Sequence, residues 1–247
     1  MITNKQLVVG NVLSSYTEAG KGNPLVLLHG WGCCAGTFKD LQEDLSEKFR
    51  VVAVDFPGFG RSEEPKEIWG CTEYAQWTQQ FLKKINIHAP VILGHSFGGR
   101  IALVLHSRIP VSKLILTGSP GITAAGRPPK KTWATYLPGF LKKGILRECL
   151  IKMAGSDDYK RATPHMREVL KKVIAEDLRP YAAKISIPTL LIWGANDKET
   201  PPATGKDFNA TIPASTLEIM ADCGHYAFLE NKNAFLDLIN KFLENHD

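Results

Sequence analysis

The 247-residue chain reads as an α/β protein, with a mostly parallel central sheet, helices on both faces and one helical insertion. Three observations predict this. Short β-prone runs alternate with helical patterns in the first half and again near the end. Between Gly121 and Lys184 the rhythm breaks, and only helical patterns remain. No apolar run approaches the ~18 residues of a membrane span, so a soluble protein with a single core is expected, and this chain length can fill it.

Val12 to Glu18 and Leu25 to His29 are the first predicted strands, separated by the turn Gly20-Lys21-Gly22-Asn23-Pro24. Thr37 to Lys48 follows as an amphipathic helix, with Phe38, Leu41 and Leu45 on one face. Val51 to Asp55 is a strand. Thr72 to Ile85 places Tyr74, Trp77, Phe81, Leu82 and Ile85 at helical intervals. Val91-Ile92-Leu93 is a buried-strand run; beyond it Ile101, Ala102, Val104, Leu105 and Ile109 recur at helical spacing until Pro110. Val111 to Thr117, Thr189 to Gly194 and Thr216 to Met220 complete the strands, and Asn233 to Glu244 is a closing helix.

The expected organisation is a core of residues 1–120 and 185–247 interrupted by a helical insertion at 121–184, which includes a helix from Met166 to Leu178. Crevices in open α/β sheets lie at the carboxyl ends of the strands. An insertion that leaves after one strand and returns before the next is placed to cover them as a lid. The segment from Gly121 to Lys184 carries 14 Lys/Arg against 6 Asp/Glu, a net +8 in a chain of net +5, so the remainder is acidic at −3.

Five cysteines, Cys33, Cys34, Cys71, Cys149 and Cys223, form no Cys-x-x-Cys pair and no regular spacing, which argues against a disulfide framework or a zinc site. They suit a reducing cytoplasm. Met1 to Gln6 has no charged stretch leading into an apolar one, so the expectation is an unexported, cytoplasmic protein.

The segment Gly94-His95-Ser96-Phe97-Gly98 joins a strand to a helix through a serine flanked by glycines at minus two and plus two. That is the pattern of a nucleophile elbow, in which the serine takes a strained turn conformation costing roughly 1–3 kcal/mol. Small neighbours let strand and helix approach.

With this elbow the chain resembles serine hydrolases of the α/β-hydrolase fold superfamily over essentially its whole length. Four further segments match in order: Leu25-Val26-Leu27-Leu28-His29-Gly30-Trp31-Gly32, Asp55-Phe56-Pro57-Gly58-Phe59-Gly60-Arg61-Ser62, Pro188 to Asp197, and Gly224-His225-Tyr226-Ala227-Phe228-Leu229-Glu230. The resemblance implies Ser96 as nucleophile, an acid, and a histidine last in the chain. His225, in a loop just past the last strand, fits the base among seven histidines. Asp197, three residues beyond the strand ending at Gly194, is the expected acid; Asp222 is the runner-up, and Thr117 to Gly121 offers no carboxylate. The oxyanion donors implied are the backbone N–H groups of Trp31 and Phe97. Gly30, Trp31, His95, Trp133, Tyr136 and Phe140 are assigned to the substrate pocket, although His95 also reads as a packed core residue inside the elbow. His29 is expected to hold its loop, and Asp55 to fix its Pro-Gly turn.

The expected reaction is ester cleavage through an acyl-enzyme, with a small-molecule ester as substrate. It needs no metal or organic cofactor, and neither His-Glu-x-x-His nor Gly-x-Gly-x-x-Gly occurs. The triad is shared by thioesterases, lactonases, perhydrolases and C–C bond hydrolases of diketone-type acids, so these stay open. A receptor-like ligand binder on the same fold is the non-enzymatic alternative. Lys130, Lys131, Lys142, Lys143, Arg147, Lys171 and Lys172 in the insertion would suit an acidic partner, such as an acyl carrier protein presenting a methyl ester, or are simply solvated helix faces. No groove-reading motif points to nucleic acid.

Overall fold

The structure, a computed structural model, describes residues 1–122 and 162–244. Eight strands form one sheet in the order β1-β2-β4-β3-β5-β6-β7-β8: β1 Thr3–Val9, β2 Val12–Ala19, β3 Pro24–Leu28, β4 Arg50–Val54, β5 Val91–His95, β6 Lys113–Thr117, β7 Thr189–Gly194 and β8 Ser215–Met220. The β1/β2 and β2/β4 pairs are antiparallel, and every pair from β4 to β8 is parallel. The mostly parallel sheet expected from the alternation is present.

Parallel strands covered on both faces are apolar at every position, and β3 shows how the alternation divides the core. Leu25 and Leu27 point to one face with Phe38, Leu41 and Leu45, around helix α1 (Lys39–Leu45), and with Phe235 and Ile239 of α8 (Lys232–Glu244). Val26 and Leu28 point to the other. There they meet Tyr74, Trp77 and Phe81 of α2 (Cys71–Lys84) and Ile101, Val104 and Leu105 of α3 (Phe97–His106). Each fully buried Leu or Phe adds about 1.5–3 kcal/mol of burial free energy.

Several elements differ from the sequence expectation, among them the short helix α7, Ala227–Glu230, which no periodicity signalled, and α4, Pro164–Ala175, which ends at Ala175 rather than Leu178. The helix expected over Thr37 to Lys48 is a 3-10 turn, Ala35–Phe38, followed by the shorter α1. Strand β1 was not expected, because it lies at the sheet edge with five of its seven residues exposed. Helix α6, Pro202–Thr211, also carried too little periodicity, since it buries only Gly205 and Phe208.

Of the expected insertion, the described part holds α4 (Pro164–Ala175) and the short α5 (Arg179–Ala182). Thr163 caps α4 by accepting a hydrogen bond from Met166 N at 3.2 Å. Met166, Val169, Val173, Leu178 and Ala182 are buried in the same cluster as Trp77 and Ile101. Arg100 of α3 ties this return segment down: one guanidinium nitrogen donates to the carbonyls of Val173 and Glu176, both at 2.6 Å. The expected pocket residues Trp133, Tyr136 and Phe140 lie outside the described residues, as do Lys130, Lys131, Lys142, Lys143, Arg147 and Cys149. Among the described residues no helix is long and apolar enough to cross a membrane.

Candidate active site

Strand β5 delivers Ser96 into the turn before α3 with φ +49° and ψ −112°, a left-handed conformation that a serine adopts only when its surroundings impose it. The constraint is visible on both sides of the turn. Ser96 N donates to Thr117 O at 3.0 Å, continuing the β5/β6 ladder, while Ser96 O accepts from Gly99 N at 3.0 Å to start the helix. A Cβ on Gly94 would meet Gly99 Cα at 2.7 Å, and one on Gly98 would run into the carbonyl of Leu28. Only glycine fits at either place.

Asp197 follows β7 in a turn that wraps its carboxylate in donors. Oδ1 accepts from the N–H groups of Glu199 at 2.9 Å and Thr200 at 2.8 Å. Oδ2 sits 2.9 Å from His225 Nδ1 and 2.8 Å from Thr200 Oγ1. Burial opposes ionisation of Asp197, but the hydrogen bonds from His225 and Thr200 outweigh it and hold the carboxyl below its ordinary range. Asp222, by contrast, is exposed in a turn at φ +57°.

His225 is buried in the loop after β8, where Glu230 braces the backbone on either side by accepting from Gly224 N at 2.6 Å and Tyr226 N at 3.1 Å. Its ring lies against Gly118, directly after Thr117, and Thr117 is the ladder partner of His95. The ladder thus carries Ser96 and His225 to the same sheet edge. Among the described residues Ser96 Oγ makes no hydrogen bond, and His225 Nε2 faces Glu199 Oε2 at 3.4 Å.

His95 is almost fully buried behind the elbow, its ring packed on those of His225, Tyr226 and Phe228. Nε2 donates to the carbonyl of His225 at 3.1 Å. Burial, with the charge of His225 adding to it, pushes His95 down to about 3, so the ring is neutral at working pH. It braces the loop from behind and does not line the cavity beside Trp31. His29 does hold its loop: Nε2 accepts from Phe56 N at 3.1 Å, which leaves Nδ1–H to donate to Gly30 O at 2.7 Å. Asp55 fixes its turn by accepting from Ala35 N at 2.7 Å and Arg61 N at 2.9 Å.

The indole of Trp31 packs edge-on against Phe59 and Phe97, with centroids 4.8 and 5.3 Å away. It also lines a cavity of about 270 Å³ with Gly32, Cys33, Phe59, Glu64 and Met166. Among the described residues the backbone N–H groups of Trp31 and Phe97 donate to nothing in the chain. Gly30 sits against the elbow, where a Cβ would meet His95 Nδ1 at 2.8 Å. No cluster of three or more His, Cys, Asp or Glu side chains able to hold a metal occurs among the described residues. Thr200, Glu199 and Glu230 were not singled out in the sequence; only their positions within three residues of Asp197 and beyond His225 could have signalled them.

The 2-hydroxy-6-oxo-6-(2'-aminophenyl)hexa-2,4-dienoic acid hydrolase of Metapseudomonas resinovorans is 29% identical to the chain, over 95% of this chain and 88% of that protein. The pimeloyl-[acyl-carrier protein] methyl ester esterase of Neisseria meningitidis serogroup C is 30% identical, over 88% of this chain and 92% of the esterase. Among solved structures, an esterase from Exiguobacterium antarcticum superposes with a TM-score of 0.75 at 26% identity, covering 95% of this chain and 96% of its own. The family described as the alpha/beta hydrolase family matches residues 25–238, nearly the whole described core, and the chain belongs to it.

Proposed function

We propose that the protein is a serine hydrolase that cleaves a carboxylic ester, with Ser96, His225 and Asp197 as its triad. The hydrogen bond of 2.9 Å between Asp197 Oδ2 and His225 Nδ1 carries this reading. It fixes the imidazole with its proton on Nδ1 and leaves Nε2 as the base. His225 Nε2 takes the proton of Ser96, and Oγ bonds to the ester carbonyl carbon while the carbonyl electron pair moves onto oxygen. The N–H groups of Trp31 and Phe97 receive that oxyanion, a contribution typically of about 3–4 kcal/mol per donor. Collapse expels the alcohol, which takes the proton back from Nε2. Water then attacks the acyl-enzyme by the same route, releasing the acid and restoring Ser96.

Among the described residues, the cavity beside Trp31 carries Glu64 and no basic side chain with which to hold a substrate acid, which favours ester cleavage over cleavage of a C–C bond. The esterase among the relatives, acting on a methyl ester, agrees with this. An insertion at 121–184 acting as a lid over the site, and an acidic protein docking on its lysines, complete the proposal. Ser96→Ala should retain the thermal unfolding of the parent and lose turnover of a small activated ester such as p-nitrophenyl acetate; parental turnover by the variant would contradict the assignment.

A further inference from the structure

We propose that Glu199 sets the charge preference of the site, favouring esters that are cationic or neutral near the reacting bond and disfavouring anionic ones; the proposal rests on the Ser96–His225–Asp197 reading. The turn that builds the acid also aims this side chain. Glu199 N donates to Asp197 Oδ1 at 2.9 Å, so its backbone is pinned to the acid's own carboxylate, and from there Glu199 Oε2 reaches to 3.4 Å from His225 Nε2. Nε2 is the nitrogen that must hand a proton to the departing group. The alcohol expelled from the acyl carbon therefore departs within a few ångströms of a carboxylate.

Glu199 makes no other ion pair among the described residues, and its side chain is 63% exposed, so its charge stands in solvent beside His225. Lys198 beside it is exposed and does not pair with it. Glu64 lines the cavity next to Trp31, accepting from Thr163 Oγ1 at 3.0 Å, with no Lys, Arg or His among the described lining residues. An anionic group carried by the departing alcohol thus meets the Glu199 carboxylate, and a cationic group gains one. Because Glu199 is exposed, the effect is that of a screened pair, about 2- to 5-fold in rate per unit charge.

The test compares kcat/KM for 2-(trimethylammonio)ethyl acetate and its neutral isostere 3,3-dimethylbutyl acetate, in the parent protein and in Glu199→Gln, at low and high ionic strength. The preference for the cationic ester should fall about 2- to 5-fold in the variant, and the difference should shrink in salt. An unchanged ratio would overturn the proposal. So would an equal rate change for both esters, which would mean that the carboxylate acts on His225 alone. Turnover of the neutral ester by the parent, lost in Ser96→Ala, reports separately on the underlying reading; if the parent turns over neither ester, that reading falls and the proposal with it.

Discussion

Replacing Gly94 by alanine isolates the geometry on which the elbow depends. An added Cβ would lie 2.7 Å from Gly99 Cα and 2.8 Å from both Gly98 O and Gly99 N, all of them backbone atoms in the first turn of α3. Ordinary contact begins at 3.4 Å, so strand and helix must separate by 0.7 Å, and no side chain can rotate to absorb it. Overpacking of this kind costs about 1–3 kcal/mol, and a rigid backbone clash belongs near 3. At roughly 2–4 °C per kcal/mol for a chain of this size, Tm should fall by about 6–12 °C. The same displacement moves Phe97 N relative to Ser96, and a shift approaching 1 Å reduces kcat by on the order of 10- to 100-fold. Gly36→Ala is the control, because its Cβ would meet only Cys34 Sγ at 3.4 Å. Both substitutions would be followed by circular dichroism on heating and by steady-state ester hydrolysis. A Gly94→Ala protein matching the control in Tm and kcat would refute the packing argument.

Asp197→Asn should lower kcat by about 10³- to 10⁴-fold with KM little changed, because the amide cannot accept the Nδ1 proton in the productive tautomer without losing a donor elsewhere; steady-state kinetics would show it. The depressed carboxyl of Asp197 also stabilises the fold above the ordinary carboxylate pKa, and that contribution is lost as pH falls through the lower folded-state value, so the Tm of Asp197→Asn should lose less on acidification than that of the parent. Arg100→Met removes the two charge-assisted bonds to the Val173 and Glu176 carbonyls and leaves Val173 O with only the long bond from Glu176 N and the Cys71 thiol; a loss of roughly 2–3 kcal/mol in urea unfolding is expected, and a loss below the error of that measurement would show that the clamp contributes nothing.

The parallel core was legible because β3, β5, β6 and β7 are buried on both faces, which makes Leu25-Val26-Leu27-Leu28 or Leu190-Leu191-Ile192-Trp193 apolar without interruption. Strand β1 pairs only through an edge, and Lys5 and Gln6 give no apolar alternation. Its one local signal was Gly10-Asn11 between Val9 and Val12, a two-residue hairpin turn with Gly10 at φ +62°. The partnership of Asp197 with His225 followed from loop positions at the sheet edge, since topology brings such loops together whatever their contents. Arg100 and Glu199 were illegible for the opposite reason: each acts through a contact distant in sequence, Arg100 with Val173 and Glu199 with His225, and neither lies in a motif. His95 shows the limit of position within a motif, because adjacency to Ser96 in sequence puts its ring behind the turn rather than in the cavity.

Activation of Ser96 by His225 is read out by intact-mass and peptide-mapping analysis after exposure of the native protein to a fluorophosphonate. A single adduct on Ser96, formed rapidly and lost in His225→Ala, is the result predicted for a nucleophile activated by that histidine. Labelling at another residue, or none on Ser96 in the native protein, would rule out Ser96 as the activated nucleophile.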